Sequence, residues 1–128
     1  MTPGLGGGDF ICGDWGTSRL RLFLCAAEGA VLERRDGPGI AEAGAQAGEV
    51  FAGLTADWDA GLPAIRSGMV GSTIGWREAA YCACPAAPSA IAQAALRFEE
   101  PTSNGNGRRM AIVPGLSCTN ASGLFDVL

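Results

Sequence analysis

The sequence predicts an α/β fold built on a mixed sheet, with a three-strand antiparallel meander followed by α-β crossover units. Three observations carry this. Leu20, Leu22 and Leu24 alternate with Arg19 and Arg21, so one strand face is apolar and the other charged. Val50, Phe51, Leu54 and Trp58 recur at helical spacing within residues 46–59. Residues 63–70 then make a short apolar run, placed as a strand that returns parallel to a neighbour after a crossover helix.

Taken in order, residues 1–9 read as a flexible, glycine-rich leader. Its "GLGGG" precedes a strand instead of following one, so it fails as a dinucleotide-binding fingerprint. Residues 10–15 and 18–26 are predicted strands joined by a short turn. Glu28-Gly29 supplies the next turn, and residues 30–35 form a third strand, ended by Gly37-Pro38-Gly39. Gly61 is placed to stop the helix over 46–59. Residues 71–81 read as a loop and 88–98 as a second helix, entered by Pro88 and carrying Ile91, Ala95 and Leu96. After the turn "NGNG", residues 110–113 make a fifth strand, closed by Pro114-Gly115.

Composition narrows the chemistry. The 128 residues suffice for one modest domain, and 48% hydrophobic against 17% charged residues argues for a folded chain. A net charge of −4 argues against nucleic-acid or anionic-membrane partners, which need a basic surface. With no histidine, neither a Ser-His-Asp triad nor a His-ligated zinc site can be built. The five cysteines lack C-x-x-C spacing and read as plain thiols of a reducing cytoplasm. No run approaches the roughly 20 apolar residues of a membrane helix, and no basic-then-apolar leader marks secretion.

Two stretches carry candidate chemistry. In "DWGTS", Gly16 lets a phosphate approach the turn backbone, while Thr17 and Ser18 add hydroxyl donors. Asp14, at a strand end, can hold a hydrated magnesium ion bridging nucleotide phosphates. The same residues also suit a plain hairpin whose polar groups satisfy the turn. The second stretch, "SGMVGSTIGWREAAY", starts at the carboxyl end of the fourth strand, where open α/β sheets bind ligands. There Ser72 and Thr73 can bond sugar hydroxyls, Trp76 can pack on a carbon chain, and Arg77 can meet a carboxylate.

The β-β-β-α-β order resembles the start of the actin, hexokinase and Hsp70-like ATPase fold, a ribonuclease-H-like domain. Asp14, Gly16, Thr17 and Arg21 match the D-x-G-T/S-x-x-x-R turn of sugar kinases. Together with "GMVGSTIGW", Tyr81 with Pro85, and "IVPGL", the chain resembles the 2-dehydro-3-deoxygalactonokinase family over nearly all its length after residue 9. The resemblance implies transfer of the ATP γ-phosphate to the terminal hydroxyl of 2-dehydro-3-deoxygalactonate, with magnesium, in galactonate catabolism. It implies a two-domain kinase of which residues 10–128 are a truncated N-terminal domain, inactive without its C-terminal partner.

On that reading Asp14 anchors magnesium, Gly16, Thr17 and Ser18 hold phosphates, and Arg21 supports the turn or its charge. Gly71, Ser72, Trp76 and Arg77 face the sugar acid, with Gly39 and Ile40 closing over it. The general base is Asp126 or an acid beyond Leu128. The resemblance leaves open a homo-oligomer, a different sugar or sugar-acid kinase of the same fold, and a non-catalytic actin-like ATP-binding domain.

Overall fold

A computed structural model describes residues 8–69, 81–101, 107–119 and 125–127. Strands β1 (Phe10–Trp15), β2 (Arg19–Cys25) and β3 (Val31–Pro38) form the expected meander, except that the third strand runs past the predicted 30–35. It continues through Gly37 and Pro38, which pair with Leu20 and Arg19 on a sheet edge where proline is tolerated. Helices α1 (Ile40–Ala43) and α2 (Ala47–Leu54), joined by a 3₁₀ turn over Gly44–Gln46, lead to β4 (Ala64–Gly68). Then come β5 (Cys82–Ala83), α3 (Pro88–Ala94), β6 (Leu96–Pro101), β7 (Gly107–Ile112), β8 (Leu116–Thr119) and β9 (Phe125–Val127).

Six strands make one mixed sheet in the order β3-β2-β1-β4-β7-β6. The meander is antiparallel, β4 runs parallel to both β1 and β7, and β6 closes the far edge antiparallel to β7. A smaller sheet, β5-β8-β9, has no counterpart in the sequence prediction.

Period-2 alternation sends Ile11, Trp15, Leu20, Leu22, Ala64, Met110 and Ile112 to one face of the large sheet, all buried. Ile40, Ala43, Ala47 and Phe51 cover that face from α1 and α2, joined by Trp58 and Leu62. The opposite face carries Asp14 and Arg21, and Ile65 is 40% exposed on it. A hollow lies along that face near β6 and β7, lined by Phe10, Ile65, Ala111, Arg97, Glu99 and Arg109.

Two helix predictions need correction. The helix expected over 46–59 ends at Leu54, because Thr55 turns back on it: its hydroxyl donates to the Phe51 carbonyl at 2.9 Å, and its amide does so at 3.1 Å. Trp58 still reaches the core, but from the following turn. The helix expected over 88–98 ends at Ala94, since Ala95 is extended and Leu96 begins a strand. Opposite charges face each other there, Glu99 with Arg109 and Glu100 with Arg108. The strands predicted over 63–70 and 110–113 run over Ala64–Gly68 (β4) and Gly107–Ile112 (β7).

Arginines tie the layers together. Arg66 is fully buried, its guanidinium centre 5.0 Å from the Phe51 ring and 5.5 Å from Phe98. Arg108 donates to the carbonyls of Asp59 (3.1 Å) and Leu62 (2.8 Å), bracing the approach to β4. Arg35 stacks 4.2 Å over Trp58, pairs with Asp57, and donates to the Leu54 carbonyl at the end of α2. Hydrogen bonding from Arg35 holds the Asp57 carboxyl below its ordinary range. Its folded-state pKa is depressed, so this contribution is present above the unfolded pKa of about 4 and is lost as pH falls through the folded value. The stability gap between wild type and Asp57→Asn at neutral pH should therefore narrow toward about pH 3, as read by denaturant unfolding at both pH values.

Candidate active site

Antiparallel pairing sets Asp14 opposite Arg21, and Arg21 opposite Asp36. Parallel pairing places Ser67 beside Asp14. A polar row thus crosses one end of the open face. Arg21 Nη1 lies 3.4 Å from Asp14 Oδ2, with both side chains substantially exposed (40% and 57%), so the pair adds little stability and leaves the carboxylate accessible. Cys12, also on this face, has its thiol pushed up by burial first, then by Cys25 and Asp14. It is held protonated and makes a poor nucleophile.

The β1–β2 turn sits on the start of α1. The Gly16 amide donates to the Arg19 carbonyl at 2.9 Å, closing the turn. From below, the Ile40 amide donates to the Gly16 carbonyl and the Ala41 amide to the Thr17 carbonyl, each at 3.0 Å. The turn's carbonyls thus face α1, while Thr17 and Ser18 are exposed. A side chain at Gly39 would overlap the Thr17 carbonyl, the Arg19 nitrogen and the Ser18 carbonyl carbon, so the turn can seat only on glycine.

Gly16 is different. Its φ is not in the left-handed region, and a Cβ there would meet only the Arg19 carbonyl, at an ordinary 3.7 Å. The fold does not require glycine at this position.

The two predicted motifs start from adjacent strand ends, since Trp15 pairs with Gly68. Gly68 has φ +97°, and a Cβ there would stand 2.6 Å from the Trp15 carbonyl, so only glycine lets the chain leave β4 at this point. Gly71, Ser72, Trp76 and Arg77 lie outside the described residues. Asp126 pairs through its backbone with Cys118 in the small sheet; its side chain is outside the described residues. Gly39 and Ile40, expected near the sugar acid, lie under the turn. The Ile40 side chain is 1% exposed in the core, so only its backbone can face a ligand. Sequence reasoning missed Ser67 and Asp36, which only strand register brings to Asp14. It also missed Trp15, whose alternation with Ile11 already pointed it inward.

Among the described residues, no group of three or more His, Cys, Asp or Glu side chains could hold a metal ion. None of their helices is long and apolar enough to cross a membrane.

Comparison with known proteins agrees with this architecture. The family model described as 2-keto-3-deoxy-galactonokinase matches residues 14–128. The 2-dehydro-3-deoxygalactonokinase of Escherichia coli (strain K12) is 34% identical over 109 residues, covering 84% of this chain and 35% of the relative. The Rhizobium meliloti (strain 1021) protein named Probable 2-dehydro-3-deoxygalactonokinase DgoK1 is 38% identical over 115 residues, covering 86% and 36%. A crystal structure of a Sinorhizobium meliloti protein given the same enzyme name superposes with a TM-score of 0.78 at 34% identity, over 93% of this chain and 39% of that one. The chain spans little more than a third of the length of these relatives. With the family model covering all but its first residues, the chain belongs to the 2-keto-3-deoxy-galactonokinase family.

Proposed function

We propose that this chain supplies the phosphate-binding half of an ATP-dependent 2-dehydro-3-deoxygalactonokinase, with residues 10–128 an N-terminal ribonuclease-H-like domain. The reaction is transfer of the γ-phosphoryl group to the terminal hydroxyl of the sugar acid, in the cytoplasm. The observation that carries it is Gly16: glycine stands in an anchored turn beside an exposed carboxylate, where the fold has room for a side chain. A ligand that must approach the backbone accounts for that choice.

In this reading Gly16, Thr17 and Ser18 receive the nucleotide phosphates, and Arg21 balances their charge. Gly71, Ser72, Trp76 and Arg77, following β4, face the sugar acid, with the backbone of Gly39 and Ile40 bounding the pocket. The general base is Asp126 or an acid in the remainder of a full-length kinase. A single carboxylate fits magnesium, which keeps several waters and takes its other ligands from phosphates. Bound there by Asp14, the ion would neutralise charge on the transferring group.

The test is a full-length version assayed for ADP formation with ATP and either 2-keto-3-deoxy acids or neutral sugars. Turnover confined to the sugar acids supports the reading. Turnover with neutral sugars would assign a different kinase of the family's fold, and no sugar-dependent ADP formation would overturn it. Gly16→Ala should leave the unfolding free energy of this chain within about 0.5 kcal/mol of wild type. In the full-length version it should weaken ATP binding at least severalfold, measured by calorimetry. Unchanged ATP affinity would remove the turn from the nucleotide site.

A further inference from the structure

We propose that Trp15 is a positioning residue for nucleotide binding, acting through its indole N–H on the placement of the β1–β2 turn. The proposal rests on the phosphate-binding role given to that turn above.

Trp15 is fully buried, and its Nε1–H donates to the Pro38 carbonyl at 3.1 Å. That bond joins the end of β1 to the end of β3, which are not neighbours in the sheet: β2 lies between them, with Arg19 paired to Pro38. Pro38 leads into Gly39, which packs on the turn backbone, and then into Ile40, whose amide holds the Gly16 carbonyl at 3.0 Å. Gly16 follows Trp15 in the chain. The result is a closed circuit from Trp15 to Pro38, along the chain to Ile40, across to Gly16, and back.

A closed circuit limits how the turn can shift, because any movement of α1 must break one of its bonds. It therefore pre-pays the ordering of the turn that would otherwise oppose phosphate binding. Packing alone would need only an apolar ring at this position, whereas the circuit needs the N–H.

The experiment uses a full-length version carrying Trp15→Phe, which keeps a large apolar ring and removes the donor. The KM for ATP should rise roughly fivefold, the effect of losing one neutral hydrogen bond, while the KM for the sugar acid stays within about twofold. The Ile40 and Ala41 amides should exchange with solvent faster than in wild type. If Trp15→Phe fails to fold, 3-benzothienylalanine at position 15 replaces the N–H by sulfur at nearly constant volume and should give the same pattern. A lower melting temperature with an unchanged KM for ATP, or equal rises in both KM values, would overturn the proposal by making Trp15 a packing residue only. A wild-type protein without ATP-dependent turnover would instead overturn the phosphate-binding reading, and this inference with it.

Discussion

Asp14→Asn in a full-length version is expected to lower turnover about a hundred- to a thousandfold, with sugar-acid binding changed by no more than about twofold. Asparagine keeps the size of aspartate and can still accept from Arg21, so the geometry of the strand end should survive. What disappears is one negative charge at the point where the proposed function puts nucleotide phosphates and their counter-ion. The exposed Asp14–Arg21 pair contributes little to folding, so the melting temperature should hardly move. Steady-state kinetics with each substrate varied in turn separates these effects. Turnover within tenfold of wild type would remove Asp14 from the reaction.

Gly39→Ala should be the most destabilising small substitution in this region, costing about 3 kcal/mol by denaturant unfolding of the chain. The added methyl group would run into three backbone atoms of the turn, and backbone cannot swing aside as the end of a side chain can. Relief requires α1 and the turn to separate, which breaks the Ile40–Gly16 and Ala41–Thr17 hydrogen bonds. Gly16→Ala, at a residue whose own carbonyl accepts one of those bonds, should be nearly silent in the same assay, since its added methyl group meets only the Arg19 carbonyl at 3.7 Å. Equal stabilities for the two variants would mean that the turn is not seated on Gly39 as described.

The meander was legible because its signals are local: alternating leucines, tight turns, and neighbours adjacent in sequence. The turn within "DWGTS" was legible for the same reason, as a polar, glycine-containing break between two apolar strands. Elements decided by distant contacts were not. Helical spacing of Ile91, Ala95 and Leu96 masked β6, although Leu96, Arg97, Phe98 and Glu99 alternate in burial, and their charges complement β7. Arg66 and Arg108 gave no sign of burial, since arginine is ordinarily a surface residue and only the aromatic rings and carbonyls that receive them make the interior tolerable. The packing of Gly39 on the turn was hidden, because nothing in its sequence neighbourhood reveals that Thr17 and Ser18 lie against it.

The strand order also fixes a sequence of events in time. β2 and β3 can add to β1 as soon as they are made, but the other edge of β1 waits for β4, where Ile11 meets Ala64. At ordinary ribosomal rates the stretch between β2 and the end of β4 takes roughly two to eight seconds to synthesise. For that interval a nascent chain carries the β1–β2 hairpin with one edge of β1 unpaired. Such an edge invites pairing with another chain, and premature release at this stage would favour aggregation over completion of the sheet.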